Sequence, residues 1–386
     1  MKNSPAERSV VSQRSAGVAD SGLAEVFMLA RTRDAVDLSI GTPGHPEVSA
    51  DLVEEAARAM RDGRNQYEHP NGEALLRRRI AESLTAPTDP DTEITVTAGA
   101  TEALYIALLG SVDPGDEVVL FTPGFDQFAS AIKLVGAVPR FVPLRAPDWR
   151  FDPAELTAAF GPRTRAVLLN TPSNPTGRVL TREELDTIAR LCERWNVTVI
   201  SDEVYSNFVF DGRRHLSVAD VPGLAERGVV VGSLSKSHAV SGWRLGFLRA
   251  DPVRTDAFRR VHALTTLGTA APLQAAAGRI PWTDAEAASA EMQQRRDLAQ
   301  DVFSRAGMKF APAEGGCYLF ADISPLTGGR TDSLTFIREL LDRRGVLLTP
   351  GFPFCSDPEL GAQYVRIAFN RRMETLREAE RRLLAA

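Results

Sequence analysis

Residues 165–205 read RAVLLNTPSNPTGRVLTREELDTIARLCERWNVTVISDEVY, and this stretch decides the fold. Two short apolar runs, Arg165–Asn170 and Val197–Asp202, flank a longer amphipathic segment, Thr181–Trp195. The runs are continuous rather than alternating. That pattern marks strands buried on both faces, as in a mostly parallel sheet with helices on each side. The segment between them opens T-R-E-E. Thr181 can cap a helix, and Glu184 three residues on completes a capping box.

The same alternation extends outward. Further strand candidates are Glu93–Ala98, Glu117–Thr122, Ala137–Pro143, Val229–Ser233 and Leu245–Arg249. Helices are expected over Thr101–Ser111 and Asp126–Val135. The pattern is that of a doubly wound α/β domain with a seven-stranded, mostly parallel sheet. The ends read differently. A long charged helix begins near Thr283, followed by the strand-like CYLFADI, a helix over Ser333–Arg344 and a last helix from Met373. The expected division is an arm and small-domain segment over 1–40, a large domain over 41–282 and a smaller α+β domain over 283–386. At ~150 residues per domain, the 386 residues are two to three domains' worth of chain.

Composition narrows the class. Hydrophobic residues make up 44% and charged residues 25%, which excludes a disordered chain. The net charge of −5 offers no basic stripe for nucleic acid. Three scattered cysteines suggest neither a disulfide framework nor a zinc site. Residues 1–22 lack the apolar core of a signal peptide, and no apolar run approaches the ~18 residues of a membrane span, so a cytoplasmic location is expected. Of 45 basic residues only Lys2, Lys133, Lys236 and Lys309 are lysine. Arginine-rich coding explains the bias, yet chemistry that needs a lysine amine has few places to reside.

In open parallel sheets ligands lie beyond the carboxyl ends of the strands. After EITVTA comes Gly99-Ala100-Thr101-Glu102 leading into a helix, either an ordinary turn or a phosphate site. After RAVLLN comes the rigid loop TPSNPTG, in which Asn174 offers a donor and an acceptor. VTVIS ends in Asp202, a carboxylate that is costly at a buried strand end unless paired; it could instead cap a loop. VVVGS runs into Leu234-Ser235-Lys236, with Arg244 eight residues on. Most lysines are surface lysines, but one near another cation has a lowered pKa and serves as an amine nucleophile. An arginine fork suits a phosphate. One ligand accounts for all of these parts: pyridoxal 5′-phosphate (PLP), whose ring becomes an electron sink when its nitrogen stays protonated.

The motifs NTPSNPTG, SDEVYSNFVFDG, GSLSKSHAVSGWRLGF and VRIAFN follow one another in the order of a known family. The chain resembles the fold-type I PLP enzymes of aminotransferase class I/II over roughly residues 35–385. TVTAGATEALYIAL is most similar to the kynurenine/methionine aminotransferase and cysteine-conjugate β-lyase branch. The resemblance implies that Lys236 holds PLP as a Schiff base and later moves the proton. It implies that Asp202 pairs with the ring nitrogen, that Asn174 and Tyr205 bond the ring hydroxyl, and that Phe125 stacks on the ring. Ala100, Thr101, Ser233 and Arg244 would hold the phosphate. Tyr67 would reach the phosphate of a neighbouring subunit, which implies a homodimer with shared sites. Arg366, with the backbone of Gly41, would clamp the substrate carboxylate. The implied activity moves an amino group between an L-amino acid and a 2-oxo acid.

One segment departs from the family. Where G-x-P-D-F-P is common, this chain has Gly41-Thr42-Pro43-Gly44-His45-Pro46. The change is either drift in a loop or a functional histidine near the substrate entrance. The second reading admits an O₂-dependent amino-acid oxidase of the arginine type. A β-lyase is a further alternative, because expelling a β-substituent needs no new residues. A PLP-sensing regulator is disfavoured, since the ~35 residues before the family core are too few for a winged helix. For the substrate side chain, Phe125, Tyr67, Phe352 and Phe354 could line an apolar pocket, and Glu25 and Asp126 could meet a basic group.

Overall fold

The computed structural model describes residues 11–18, 26, 28–29, 35–282 and 284–385. Among the described residues thirteen strands run in chain order: β1 (Val36–Asp37), β2 (Ile94–Thr97), β3 (Glu117–Thr122), β4 (Val138–Arg145), β5 (Arg150–Phe151), β6 (Thr164–Asn170), β7 (Thr198–Asp202), β8 (Gly228–Ser233), β9 (Gly246–Arg249), β10 (Tyr318–Asp322), β11 (Val346–Leu347), β12 (Thr349–Pro350) and β13 (Tyr364–Ala368). The large sheet has the order β2-β9-β8-β7-β6-β3-β4-β5. Its centre, from β4 through β3, β6 and β7 to β8, is parallel, and β9 runs antiparallel to both of its neighbours.

All seven expected strands are present, with small shifts of boundary. The eighth is the two-residue β5, which pairs antiparallel with the end of β4. It is too short to carry a periodic signal.

The continuous apolar runs have a direct cause. Along β6, Ala166 and Leu168 pack with the helices Gly99–Leu109 and Gln127–Leu134, while Val167 and Leu169 pack with Pro153–Ala159 and Arg182–Trp195. Successive side chains point to opposite faces, so a strand covered on both sides must be apolar at every position. The capping box forms as expected, with Thr181 accepting from the Glu184 N–H and Glu184 from the Thr181 N–H.

A second core gathers the ends of the chain. β10, β13 and β12 form an antiparallel sheet, and β1 pairs parallel with β11. Leu38 packs there with Phe303, Leu319, Ile367 and Leu376. Tyr205, Phe208 and Phe210, from the segment after β7, join the same core and tie it to the large sheet.

Candidate active site

The carboxyl ends of β2, β6, β7 and β8 open into a cavity of about 1090 Å³. Its wall includes Gly41, Ala100, Thr101, Phe125, Asn174, Asp202, Tyr205, Ser233, Lys236, Arg244 and Arg366. Eleven of the thirteen residues singled out from the sequence are thus brought to one place.

One end of the cavity is an anion cradle. The helix Gly99–Leu109 starts without a side-chain cap, and Ala98, Ala100 and Thr101 at its start line the cavity, so its first N–H groups and dipole suit an anion there. Gly99 has φ +79°, and a Cβ there would lie 2.3 Å from Arg244 Nη2. Only glycine lets the guanidinium lie this close. Arg244 itself has φ 55°, and its Nη1 donates to the Ser241 carbonyl at 3.0 Å. Ser233 Oγ donates to Ser235 Oγ at 2.8 Å.

The floor holds the titratable groups. Lys236 Nζ donates to the Gly41 carbonyl at 2.8 Å. Burial lowers its pKa; Arg366 and Arg371 lower it further, against Cys317 and Asp202. Burial pushes Asp202 up to about 7, although the Val204 N–H donates to its Oδ1 at 3.2 Å. Tyr205 and Tyr318 share a hydrogen bond of 3.2 Å between their hydroxyls, and burial raises both phenols.

The far wall is built around Arg366, which is 5% exposed. Its Nη1 donates to Asn174 Oδ1 at 3.0 Å and its Nη2 to the Ser39 carbonyl at 2.9 Å. The guanidinium lies between the rings of Tyr318 (4.4 Å) and Phe354 (4.6 Å). Its Nε meets no acceptor among the described residues. A buried arginine in the wall of a cavity suits a carboxylate.

Several contributors escaped sequence reading. Tyr318 lies inside the strand-like CYLFADI, where nothing local marks it. Asn170 closes β6; its Nδ2 donates to the Asp202 carbonyl and its Oδ1 accepts from the Asn174 N–H, so it pins the NPTG loop. Gly177 in that loop has φ +70°, and a Cβ there would lie 2.7 Å from the Tyr318 carbonyl. The loop glycine was the available sign of a close approach.

Two singled-out residues lie elsewhere. Tyr67 is 91% exposed and does not line the cavity of its own chain. His45, expected near the substrate entrance, does not line it either. Its Nε2 lies 3.1 Å from Glu291 Oε2 on the helix Ala285–Arg305. Burial and Arg295 lower the His45 pKa, against Glu291 and Glu47. Asp126 does line the cavity, with burial raising its carboxyl and Arg366 opposing. Phe125 lines it too, whereas Phe352 does not; Glu25 lies outside the described residues.

Comparison with known proteins agrees with this geometry. The sequence profile of aminotransferase class I and II matches residues 33–383. The chain belongs to the class I and II aminotransferase family. The aminotransferase is 33% identical to kynurenine–oxoglutarate transaminase 3 of Rattus norvegicus, over 92% of this chain and 86% of the relative. It is 34% identical to methionine aminotransferase of Escherichia coli (strain K12), over 93% and 94%. Among solved structures, N-succinyldiaminopimelate aminotransferase of Mycobacterium tuberculosis superposes with TM-score 0.91 at 34% identity, covering 97% of this chain and 99% of that one.

The family's cofactor is PLP, and the residues present suit it. The uncapped helix and Arg244 fit a phosphate, the buried Asp202 fits a ring cation, and the buried amine of Lys236 fits an aldehyde. Among the described residues no helix is long and apolar enough to cross a membrane.

Proposed function

We propose that this aminotransferase moves an amino group from an L-amino acid to a 2-oxo acid, with Lys236 as the covalent attachment point of PLP and as the proton carrier. The observation that carries this reading is the Lys236 amine, depressed by burial and by two arginines, on the floor of a cavity shared with Asp202 and Arg366. When bound, PLP supplies the electron sink for the pair left on the substrate Cα. Lys236, its pKa lowered by burial, would take the Cα proton and return it on the cofactor side. Arg366 and the Gly41 backbone hold the substrate carboxylate. Asp202 would pair with the ring nitrogen, and Asn174 and Tyr205 would hold the ring hydroxyl. Phe125 would stack on the ring; Ala100, Thr101, Ser233 and Arg244 would hold the phosphate.

The test is a panel of amino acids, including kynurenine, methionine and N-succinyldiaminopimelate, each with and without 2-oxoglutarate while dissolved O₂ is followed. Turnover is expected only with the acceptor. O₂ loss without acceptor would mean an oxidase. Pyruvate and ammonia without O₂ loss would mean a β-lyase. The oxidase alternative rested on His45, whose Nε2 lies 3.1 Å from Glu291 Oε2 and which does not line the cavity of its own chain.

Asp202 links the site to stability. Its value of about 7 in the cofactor-free protein lies above the ordinary 3.8, so ionising it costs stability as pH rises through that interval. Asp202→Asn apoprotein is expected to gain melting temperature over the parent between pH 3.8 and about 7, and to keep the gain above it. Loading PLP should reverse the order, because the carboxylate then has a cation to pair with. Parallel melting curves for the two apoproteins across this range would refute the linkage.

We further propose a homodimer in which Tyr67 serves the partner's site; its near-complete exposure supports this. The division into 1–40 with 283–386 and 41–282 is supported by the pairing of β1 with β11. A cytoplasmic location is supported by three free cysteines, and cell fractionation tests it.

A further inference from the structure

The segment Asp37–Thr42 crosses the cavity floor as a strap with little regular structure of its own. Buried backbone carbonyls outside a ladder need donors. Here six in a row have them: Asp37 from Arg371 Nε, Leu38 from the Ala368 N–H, Ser39 from Arg366 and Thr349, Ile40 from Arg371 Nη2, Gly41 from Lys236 and Asn370, and Thr42 from Arg371 Nη1. Three of the six belong to one side chain. Arg371 is 7% exposed, and its Nη1 also donates to Asn370 Oδ1 at 2.8 Å.

We propose that Arg371 is a positioning residue for substrate binding, which grips the strap by three carbonyls and so holds Gly41 in place beside the Arg366 receptor. The inference rests on the assignment of Arg366 and Gly41 to the substrate carboxylate. The physical reason is geometric. Residues 37, 40 and 42 present carbonyls that a planar five-donor fork can span, whereas a lysine ammonium concentrates three donors at one point. The position of Gly41 is tightly constrained from the other side, since a Cβ there would lie 2.0 Å from the Tyr318 hydroxyl. Slack in the strap would therefore move Gly41 relative to both Lys236 and Arg366. The positive charge of Arg371 also lowers the Lys236 pKa, a second effect that charge alone can supply.

Two variants separate the effects. R371K keeps the charge and loses the fork; R371M loses both. Holoenzymes are titrated with 3-phenylpropionate, a carboxylate that cannot react, with the cofactor absorbance as readout. In R371K the dissociation constant of this probe is expected to rise about tenfold. The KM for an amino acid should rise in step, while the PLP dissociation constant stays within about twofold. In R371M the pH at which the cofactor absorbance titrates should also shift upward, as the Lys236 amine loses a nearby cation. Unchanged probe affinity in R371K holoenzyme overturns the proposal, as does a loss of melting temperature and PLP affinity with no change in the probe. If the Arg371 variants do not fold, Asn370→Ala removes a partner of both Arg371 and the Gly41 carbonyl. It should weaken the probe about threefold, and parental affinity there overturns the proposal too. A parent that binds the probe but transaminates nothing would defeat the proposed activity and leave the strap inference standing.

Discussion

Lys236→Ala is expected to lower transamination by at least ~10⁴-fold, because the variant loses both the attachment point and the base that moves the proton. Borohydride should fix PLP to the parent at Lys236 and to nothing in the variant. Retention of trapped PLP would refute the assignment. Among the described residues no other lysine can substitute: Lys133 lies near the end of the helix Gln127–Leu134, Lys309 pairs by backbone with Asp322, and neither lines the cavity. The same variant tests the shared site. Mixed with Tyr67→Ala chains and re-equilibrated, it forms hybrid dimers in which one site draws intact Lys236 and intact Tyr67 from opposite chains. Random pairing puts half the dimers in the hybrid class, with one sound site each, so about a quarter of parental activity should return from two defective proteins. Activity no higher than the mean of the two variants would mean that Tyr67 does not cross an interface.

Arg366→Met should lower kcat/KM for amino acid and 2-oxo acid alike by ~10²–10³-fold, equivalent to about 3–4 kcal/mol. The size follows from the setting. Arg366 is 5% exposed, its Nη groups are committed to Asn174 and the Ser39 carbonyl, and the rings of Tyr318 and Phe354 exclude water from its faces. A carboxylate bound there gains a charge-assisted hydrogen bond in a dry site. Most of the loss should appear in KM, since the interaction is made to the ground state as well as the transition state. PLP occupancy should hold, because Arg366 touches none of the phosphate cradle. Arg366→Lys should fall between, keeping the charge without the planar fork. Steady-state kinetics with both substrates check this. A fall confined to one of them would mean that Arg366 reads the side chain and not the shared carboxylate.

Much of the architecture was legible in the chain itself. The apolar runs announced strands covered on both faces, and the cores on either side of β6 give the reason. The T-R-E-E opening announced a helix start. Lys236 stood out because lysine is scarce and because it follows a buried strand. The departure around His45 was legible too, but its place was not: the histidine lies beside Glu291 and outside the cavity lining of its own chain. Tyr318 and Arg371 were invisible. One sits in an ordinary strand pattern, and the other is one arginine among 41.

The line between the two lies at contact range. Periodicity, caps and strand-end turns act over a few residues, so the chain states them openly: the class of sheet, the phosphate turn at Gly99 and the amine at Lys236. The Lys236 amine meets Gly41 across 195 positions, the Tyr205 and Tyr318 hydroxyls meet across 113, and Arg371 meets the Ile40 carbonyl across 331. No local rule selects which arginine fills which carbonyl at such distances. Only the packed fold does, by laying the strap against the end of the last strand, where its backbone finds donors.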